Sequence, residues 1–206
     1  MKLFFQYCSY GFSNCYILGE EDAEGRPNVA IIVDPGSMEN ITLQTIEENN
    51  FDLKAVLITH DHLGHVRGLR TLKRIYETEI FAVNQSILDH KTTMVKDGDR
   101  LEIGGFSVEV ISIPGHSSDS VVYLIGNLLF TGDALTAGLV GRTASAYGAT
   151  TQMNKLRSRL LSLPGDYVVL PGHGPPSTLE AERRFNTDIF NYDQSRSKRP
   201  ALNIDL

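Results

Sequence analysis

Three histidines crowd into the segment Thr59-His60-Asp61-His62-Leu63-Gly64-His65. This segment follows an apolar run at 55–58 that is typical of a buried strand, and it precedes a helical pattern with apolar residues at positions 66, 69 and 72. Imidazoles placed between the end of a strand and the start of a helix can converge on one point, as preorganised metal ligands must. The segment therefore indicates a metal site on a rigid frame.

Two further histidines and one aspartate occupy similar places in the chain. His116 follows a Pro-Gly pair after an apolar run at 106–113, and His173 follows another Pro-Gly pair after a run at 167–170. Asp133 follows Thr-Gly after a run at 128–130. A single histidine after a strand is usually structural, but these clusters together offer the nitrogen and oxygen donors that suit zinc or a neighbouring first-row metal. His90 lacks such a context, and we expect it on the surface.

Short apolar runs alternate with helical patterns along the whole chain. Strands are predicted at 3–7, 14–18, 29–33, 55–59, 80–83, 106–113, 121–125, 128–130 and 167–170. Helices are predicted at 38–48, 66–76, 152–162 and 178–190, the last capped by Ser177 with Glu180 reaching back. Hairpins followed by helices, twice over, predict an α/β fold of four layers in which two largely antiparallel sheets pack together with helices outside.

Length and composition limit the protein class. A chain of 206 residues predicts a single domain, 1–206, in which 191–206 form a C-terminal tail. The formal net charge of −6 argues against a nucleic-acid partner. The apolar run at the N-terminus is shorter than a signal peptide or membrane span requires, so we expect a cytoplasmic protein without a membrane partner. Cys8 and Cys15 are expected as reduced cysteines in strands.

The histidine and aspartate motifs resemble those of the metallo-β-lactamase superfamily. Its pattern is H-x-H-x-D-H, then a histidine after Pro-Gly, then Gly-Asp, then a final Gly-His, and the match covers nearly the whole chain. The Asp34-Pro35-Gly36 turn is similar to the family's first motif, in which the aspartate supports the site. The resemblance implies an αββα sandwich. Within the superfamily, Thr131-Gly132-Asp133 and the segment at 170–175 look most like the small glyoxalase II-like (hydroxyacylglutathione hydrolase-like) thioesterases.

The resemblance also implies roles for individual residues. The first metal would be held by His60, His62 and His116, and the second by His65 and His173, with Asp133 bridging the two and with Asp133 and His173 serving catalysis. It implies one or two Zn²⁺ per chain, with Fe²⁺ or Mn²⁺ as alternatives, and hydrolysis of a thioester or related acyl compound of small-molecule size. The oligomeric state does not follow from the sequence.

The chain departs from the family pattern at Gly64, where the motif has an aspartate. Glycine offers no ligand, so we expect a weakened second metal site. Asp119, a carboxylate near His116, is a hypothetical replacement; the alternative is an aspartate that caps its own backbone amides. Asp61 lies between two ligands in an alternating segment and is expected to point away from the metal.

Three functions remain open at this point. The chain is a hydrolase with one tight and one weak metal, a mononuclear iron protein similar to the persulfide dioxygenases, or a catalytically silent binding protein. Substrate would bind near the loop 138–148, where Arg142 and Tyr147 are candidate contacts, although a solvated loop is the alternative.

Overall fold

Two six-stranded sheets form the centre of the fold in the computed structural model, which describes residues 1–20 and 28–197, with side chains described up to residue 192. The first sheet has the order β1-β2-β3-β4-β5-β8, with β1 (Lys2–Cys8), β2 (Ser13–Glu20), β3 (Asn28–Val33), β4 (Phe51–Leu57), β5 (Glu79–Ala82) and β8 (Thr93–Met94). The second has the order β16-β15-β12-β11-β10-β9, with β9 (Arg100–Ile103), β10 (Phe106–Ser112), β11 (Val121–Ile125), β12 (Leu128–Gly132), β15 (Val168–Pro171) and β16 (Ser177–Thr178). Two small hairpins pair β6 (Ser86–Ile87) with β7 (His90–Lys91), and β13 (Leu135–Thr136) with β14 (Leu139–Val140).

Helices cover the outer face of each sheet. The first sheet carries α1 (Asn40–Glu48), α2 (Leu63–Val66) and α3 (Leu69–Ile75), which bury Ile46 and Leu72 against it. The second carries α4 (Ala146–Lys155), a π-helical segment (Leu156–Leu160), α5 (Leu179–Phe185) and α6 (Thr187–Ser197), with Leu156 buried against the strands. The largest hydrophobic core lies between the sheets, where the rings of Tyr16 and Phe130 pack edge to face with their centroids 5.6 Å apart. The predicted four-layer architecture is confirmed. No helix in the described part of the chain is long and apolar enough to cross a membrane.

The expectation of largely antiparallel sheets is wrong for three of the five strand pairs of the first sheet. Strands β3, β4, β5 and β8 pair in parallel, as do β12 and β15 in the second sheet. Crossovers through α1 and α3 return the chain in the same direction, which a parallel pair requires. The parallel strands therefore end at one edge, where the sheets are also joined by a hydrogen bond from the Val121 amide to the Thr59 carbonyl at 2.9 Å.

Three predicted helices have different bounds in the structure. The helix predicted at 66–76 divides into α2 and α3 at Gly68, whose amide donates to the Pro35 carbonyl at 2.8 Å. The helix predicted at 152–162 begins earlier, because Ser145 caps α4 and accepts from the Gly148 amide at 3.0 Å. The helix predicted at 178–190 divides into α5 and α6 at Asn186, whose side-chain oxygen accepts from the next turn's amides.

The N-terminal cap predicted for the last helix is also wrong by one residue. Thr178 is the cap and accepts from the Ala181 amide at 3.2 Å, while the Ser177 hydroxyl donates to the Glu182 carboxylate at 2.6 Å. Glu180 instead forms an ion pair with Arg184 at 2.6 Å. Helix α6 occupies 187–197, so the first part of the predicted tail is helical, and 198–206 lie outside the described residues.

Candidate metal centre

All six predicted ligands meet where the strands of both sheets end. They follow β4, begin α2, or follow β10, β12 and β15, and they are His60, His62, His65, His116, Asp133 and His173. The imidazole rings that neighbour one another have centroids between 4.3 and 5.2 Å apart. Residues more than 100 positions apart in sequence are thus packed around one small volume.

The six predicted ligands divide into two neighbouring groups of donor atoms. Within each group the donor atoms lie within 4.8 Å of one another, and the groups are His60, His62 and His116, and His65, Asp133 and His173. The Asp133 carboxylate lies between them: its Oδ2 is 3.5 Å from Nε2 of His116 and of His173, and its Oδ1 is 3.5 Å from Nε2 of His65. This geometry suits the predicted bridging role of Asp133.

Asp34 and Thr59 fix two of the imidazoles from behind. The Thr59 hydroxyl donates to Asp34 Oδ2 at 2.6 Å, so its oxygen is free to accept from His60 Nδ1 at 3.0 Å. Asp34 Oδ2 also accepts from His65 Nδ1 at 3.0 Å. Both histidines are thereby held as the tautomer whose Nε2 carries the lone pair, the form a metal binds. The supporting role expected of Asp34 agrees with these contacts.

Backbone carbonyls do the same for two more imidazoles. Nδ1 of His116 donates to the Arg142 carbonyl at 2.8 Å, and Nδ1 of His173 donates to the Phe12 carbonyl at 2.9 Å. In these four imidazoles Nε2 is consequently the nitrogen that carries the lone pair, and Nε2 of His116 lies 3.0 Å from Nδ1 of His62 in the same ligand group.

Two buried atoms at the centre of the cluster test whether a cation fits. His60 Nε2 and Asp133 Oδ1 have no hydrogen-bond partner among the described residues, although buried polar atoms are rarely left unpaired. Burial, aided by the neighbouring imidazoles, lowers the pKa of His60 far below its usual value, so the ring is neutral. A divalent first-row metal in each ligand group would satisfy one of these atoms, and this donor set suits zinc or iron.

Two glycines near the cluster differ in the space that a side chain would find there. A Cβ at Gly172 would lie 2.5 Å from Asp133 Oδ1 and 2.5 Å from His65 Cε1, so no side chain fits there. Gly64 is different, because a Cβ at this position would come no closer than 3.6 Å, to Gly11 Cα. The missing carboxylate at Gly64 is therefore not a steric requirement of the fold.

Asp119 does not replace the missing ligand. Its Oδ2 accepts from the Asp61 amide at 2.8 Å and from Asn84 Nδ2 at 3.2 Å, and Asp119 belongs to neither ligand group. It holds the loop that carries the histidines, rather than capping its own amides. Asp61 also lies outside both groups, as expected, and His90 is half-buried in β7 away from them.

Gln152 is a supporting residue that sequence reasoning missed. Its side chain is fully buried, and its Nε2 donates to the Ala134 carbonyl at 2.9 Å and to the Gly141 carbonyl at 3.2 Å. These carbonyls belong to the loop that follows Asp133 and to the loop whose Arg142 carbonyl accepts from His116. Leu156 and Leu160 follow Gln152 by four and eight residues, so helical periodicity places the glutamine on the core-facing side of its helix. This spacing is the sequence signal that could have identified Gln152.

A cavity of about 440 Å³ opens onto the cluster, lined by His116, Asp133, His173 and Arg142 among others. The Arg142 side chain is exposed, and it forms no ion pair with any residue that the structure describes. Tyr147, the other candidate contact, lines a neighbouring groove that also reaches His116. The candidate substrate loop is thus partly β14 and partly the first turn of α4.

Comparison with known proteins assigns the family. Residues 9–173 match the metallo-β-lactamase superfamily. The chain belongs to this superfamily. The hydroxyacylglutathione hydrolase GloC of Haemophilus influenzae is 29% identical over 197 residues, covering 84% of this chain and 91% of that protein.

Solved metallo-β-lactamase folds agree. ETHE1 from Myxococcus xanthus superposes with a TM-score of 0.81 at 26% identity, covering 98% of this chain and 93% of the other. TTHA1623 in a di-iron-bound form gives a TM-score of 0.74 at 28% identity, covering 89% and 98%.

Proposed function

We propose that this protein is a metal-dependent hydrolase of a thioester or related small acyl compound. The observation that carries the proposal is the convergence of four histidine Nε2 atoms, each with its Nδ1 hydrogen-bonded, on the Asp133 carboxylate. Superfamily membership and a relative named as a hydroxyacylglutathione hydrolase support it.

The six ligands divide the work between two positions. His60, His62 and His116 would hold one metal, and His65, His173 and Asp133 a second. A divalent metal bound there supplies a Lewis acid that polarises the acyl carbonyl and lowers the pKa of water toward neutrality. We expect unequal affinities, because Gly64 leaves the second group with three protein ligands, one of them shared.

Asp133 and His173 have further tasks in the proposed reaction. Asp133 Oδ1 has no hydrogen-bond partner among the described residues, so the lone pair that a metal would not use could accept a hydrogen bond from the attacking water and orient that water toward the acyl carbon. The His173 side chain, 39% exposed, lies on the cavity side, next to where the leaving sulfur would depart. Arg142 at the cavity's edge would attract an anionic group on the thiol portion.

Metal analysis and thioester hydrolysis test the proposal together. Protein purified without chelator should carry about one to two zinc per chain, and His116→Ala should lose one metal and lower kcat/KM at least 100-fold. His90→Ala is the matched control, because His90 lies outside both ligand groups. Iron with oxygen consumption on a persulfide would favour dioxygenase chemistry instead, and absence of any metal would contradict an enzymatic role.

A further inference from the structure

A second groove meets the metal centre at His116, and Arg142 does not line it. His116 lines both this groove and the cavity over the ligands, so the two spaces meet at a ligand. The groove measures about 440 Å³ and runs between the loop 114–118 and the first turns of α4. A group bound there would lie directly beside the reacting centre.

The two spaces differ in charge. The cavity over the ligands is lined by Arg142, Asp133 and Asp188. None of the residues that line the groove is an aspartate, glutamate, lysine or arginine, and Nδ1 of His116 is already bonded to the Arg142 carbonyl. The hydroxyls of Ser117, Ser118 and Thr151 also line the groove, but no charged side chain does, so a charged ligand group would lose its hydration there without gaining an ion pair. Pro114, Ala144 and the Tyr147 ring offer an apolar group surface to cover.

Two glycines and one aromatic side chain are among the residues that line the groove. Gly115 has φ +148°, and a Cβ on it would lie 2.3 Å from Gln152 Cβ, so it stays bare. At Gly148 a Cβ would lie 3.0 Å from the Gly115 carbonyl oxygen. The Tyr147 side chain leaves 81% of its surface exposed, a large apolar area that a ligand could cover.

We propose that this groove binds an apolar acyl chain, so that the preferred substrate is a medium-chain acyl thioester whose polar thiol part lies toward Arg142. This inference rests on the proposed hydrolase function. The reaction itself is ordinary hydrolysis, in which the oxygen of water bonds to the acyl carbon, the carbon–sulfur bond breaks, and the leaving thiolate takes the proton.

A chain-length series tests the groove. Acetyl, butyryl, hexanoyl and octanoyl thioesters of N-acetylcysteamine are compared on the zinc-loaded protein. Because burying a methylene is favourable, kcat/KM should rise about two- to fourfold per methylene until the groove is full. Tyr147→Ala should flatten this dependence, and Ala144→Leu should end it at a shorter chain. Phe185→Ala, which removes an aromatic side chain that is 73% exposed and lines neither space, should leave the series unchanged.

A binding measurement separates this inference from the proposed function. The octyl thioether of N-acetylcysteamine cannot be hydrolysed, and calorimetry measures its affinity for the same variants. Binding that weakens in Tyr147→Ala, in a protein that hydrolyses no thioester, would uphold the groove and reject the hydrolase. Hydrolysis with kcat/KM independent of chain length, or a Tyr147→Ala loss that is equal at every length, would overturn the groove. Failure of the thioether to bind any variant would overturn it as well.

Discussion

Replacing Gly64 with aspartate should create a tight second metal site. A Cβ at this position would lie 3.6 Å from Gly11 Cα and 3.9 Å from the Gly11 oxygen, which are ordinary contacts. It would face the turn whose Phe12 carbonyl holds His173. Gly64 also lies in helix α2, where aspartate is tolerated, so we expect the free energy of unfolding to change by less than about 1 kcal/mol.

The expected gain in affinity follows from the ligand count. The second group has His65, His173 and a share of Asp133. Loss of a residue that merely orients a metal ligand costs about 10- to 100-fold in affinity, so a direct carboxylate ligand should add at least about 100-fold, or about 2.7 kcal/mol. The first group does not contact position 64 and should keep its affinity.

Competition with a chromogenic chelator measures both zinc dissociation constants, and thermal unfolding checks the fold. Gly64→Asn is the matched control, because it has nearly the same size without the charge. Gly36→Ala gives the steric contrast, since its Cβ would lie 1.9 Å from the Gly64 carbonyl oxygen, and it should unfold readily. If Gly64→Asp binds the second zinc no more tightly than Gly64→Asn does, the account of a weakened second site is refuted.

Three other changes probe the support of the site. Asp34→Asn keeps a side chain that tolerates the observed φ of +49° but loses the charge that holds His65, so zinc affinity by chelator competition should fall about 10- to 100-fold with the fold retained by circular dichroism. Gln152→Met removes a donor that two loop carbonyls share, so urea denaturation should show that the free energy of unfolding falls by about 1–3 kcal/mol. Metal binding should weaken as well, and unchanged metal binding would show that the role of Gln152 is purely structural. Burial works to raise the pKa of Asp97, but an amide and Arg159 outweigh it and lower that pKa below 3.8. Since the pair is about one-third exposed, Asp97→Asn should cost only about 0.5 kcal/mol at pH 7, a difference that disappears as the pH falls through the folded-state pKa; a constant difference at all pH values would exclude the charge as its cause.

The layer order and the positions of the six candidate ligands at strand ends were predictable, because both depend on local signals, whereas the assignment of the ligands to two metals stays a prediction from the family resemblance. A histidine after Pro-Gly at the end of an apolar run marks the end of a strand and places a nitrogen ligand there, wherever the strand lies in the sheet. Hydrophobic periodicity likewise separated strands from helices, and it located β10 and β11 closely. Helix bounds at Gly68 and Asn186 were missed, since each is set by a hydrogen bond whose direction periodicity does not contain.

Long-range contacts decided the rest. Three features join segments that are far apart along the chain or whose relative direction is set only on folding. They are the parallel pairing of β3, β4 and β5, the hydrogen bond from the Asp61 amide to the Asp119 carboxylate, and the buried Gln152 amide between two loops. Residue type states which atoms can donate or accept, and spacing states which face they share. Which partner each atom meets depends on how separate elements pack, and that information exists only in three dimensions.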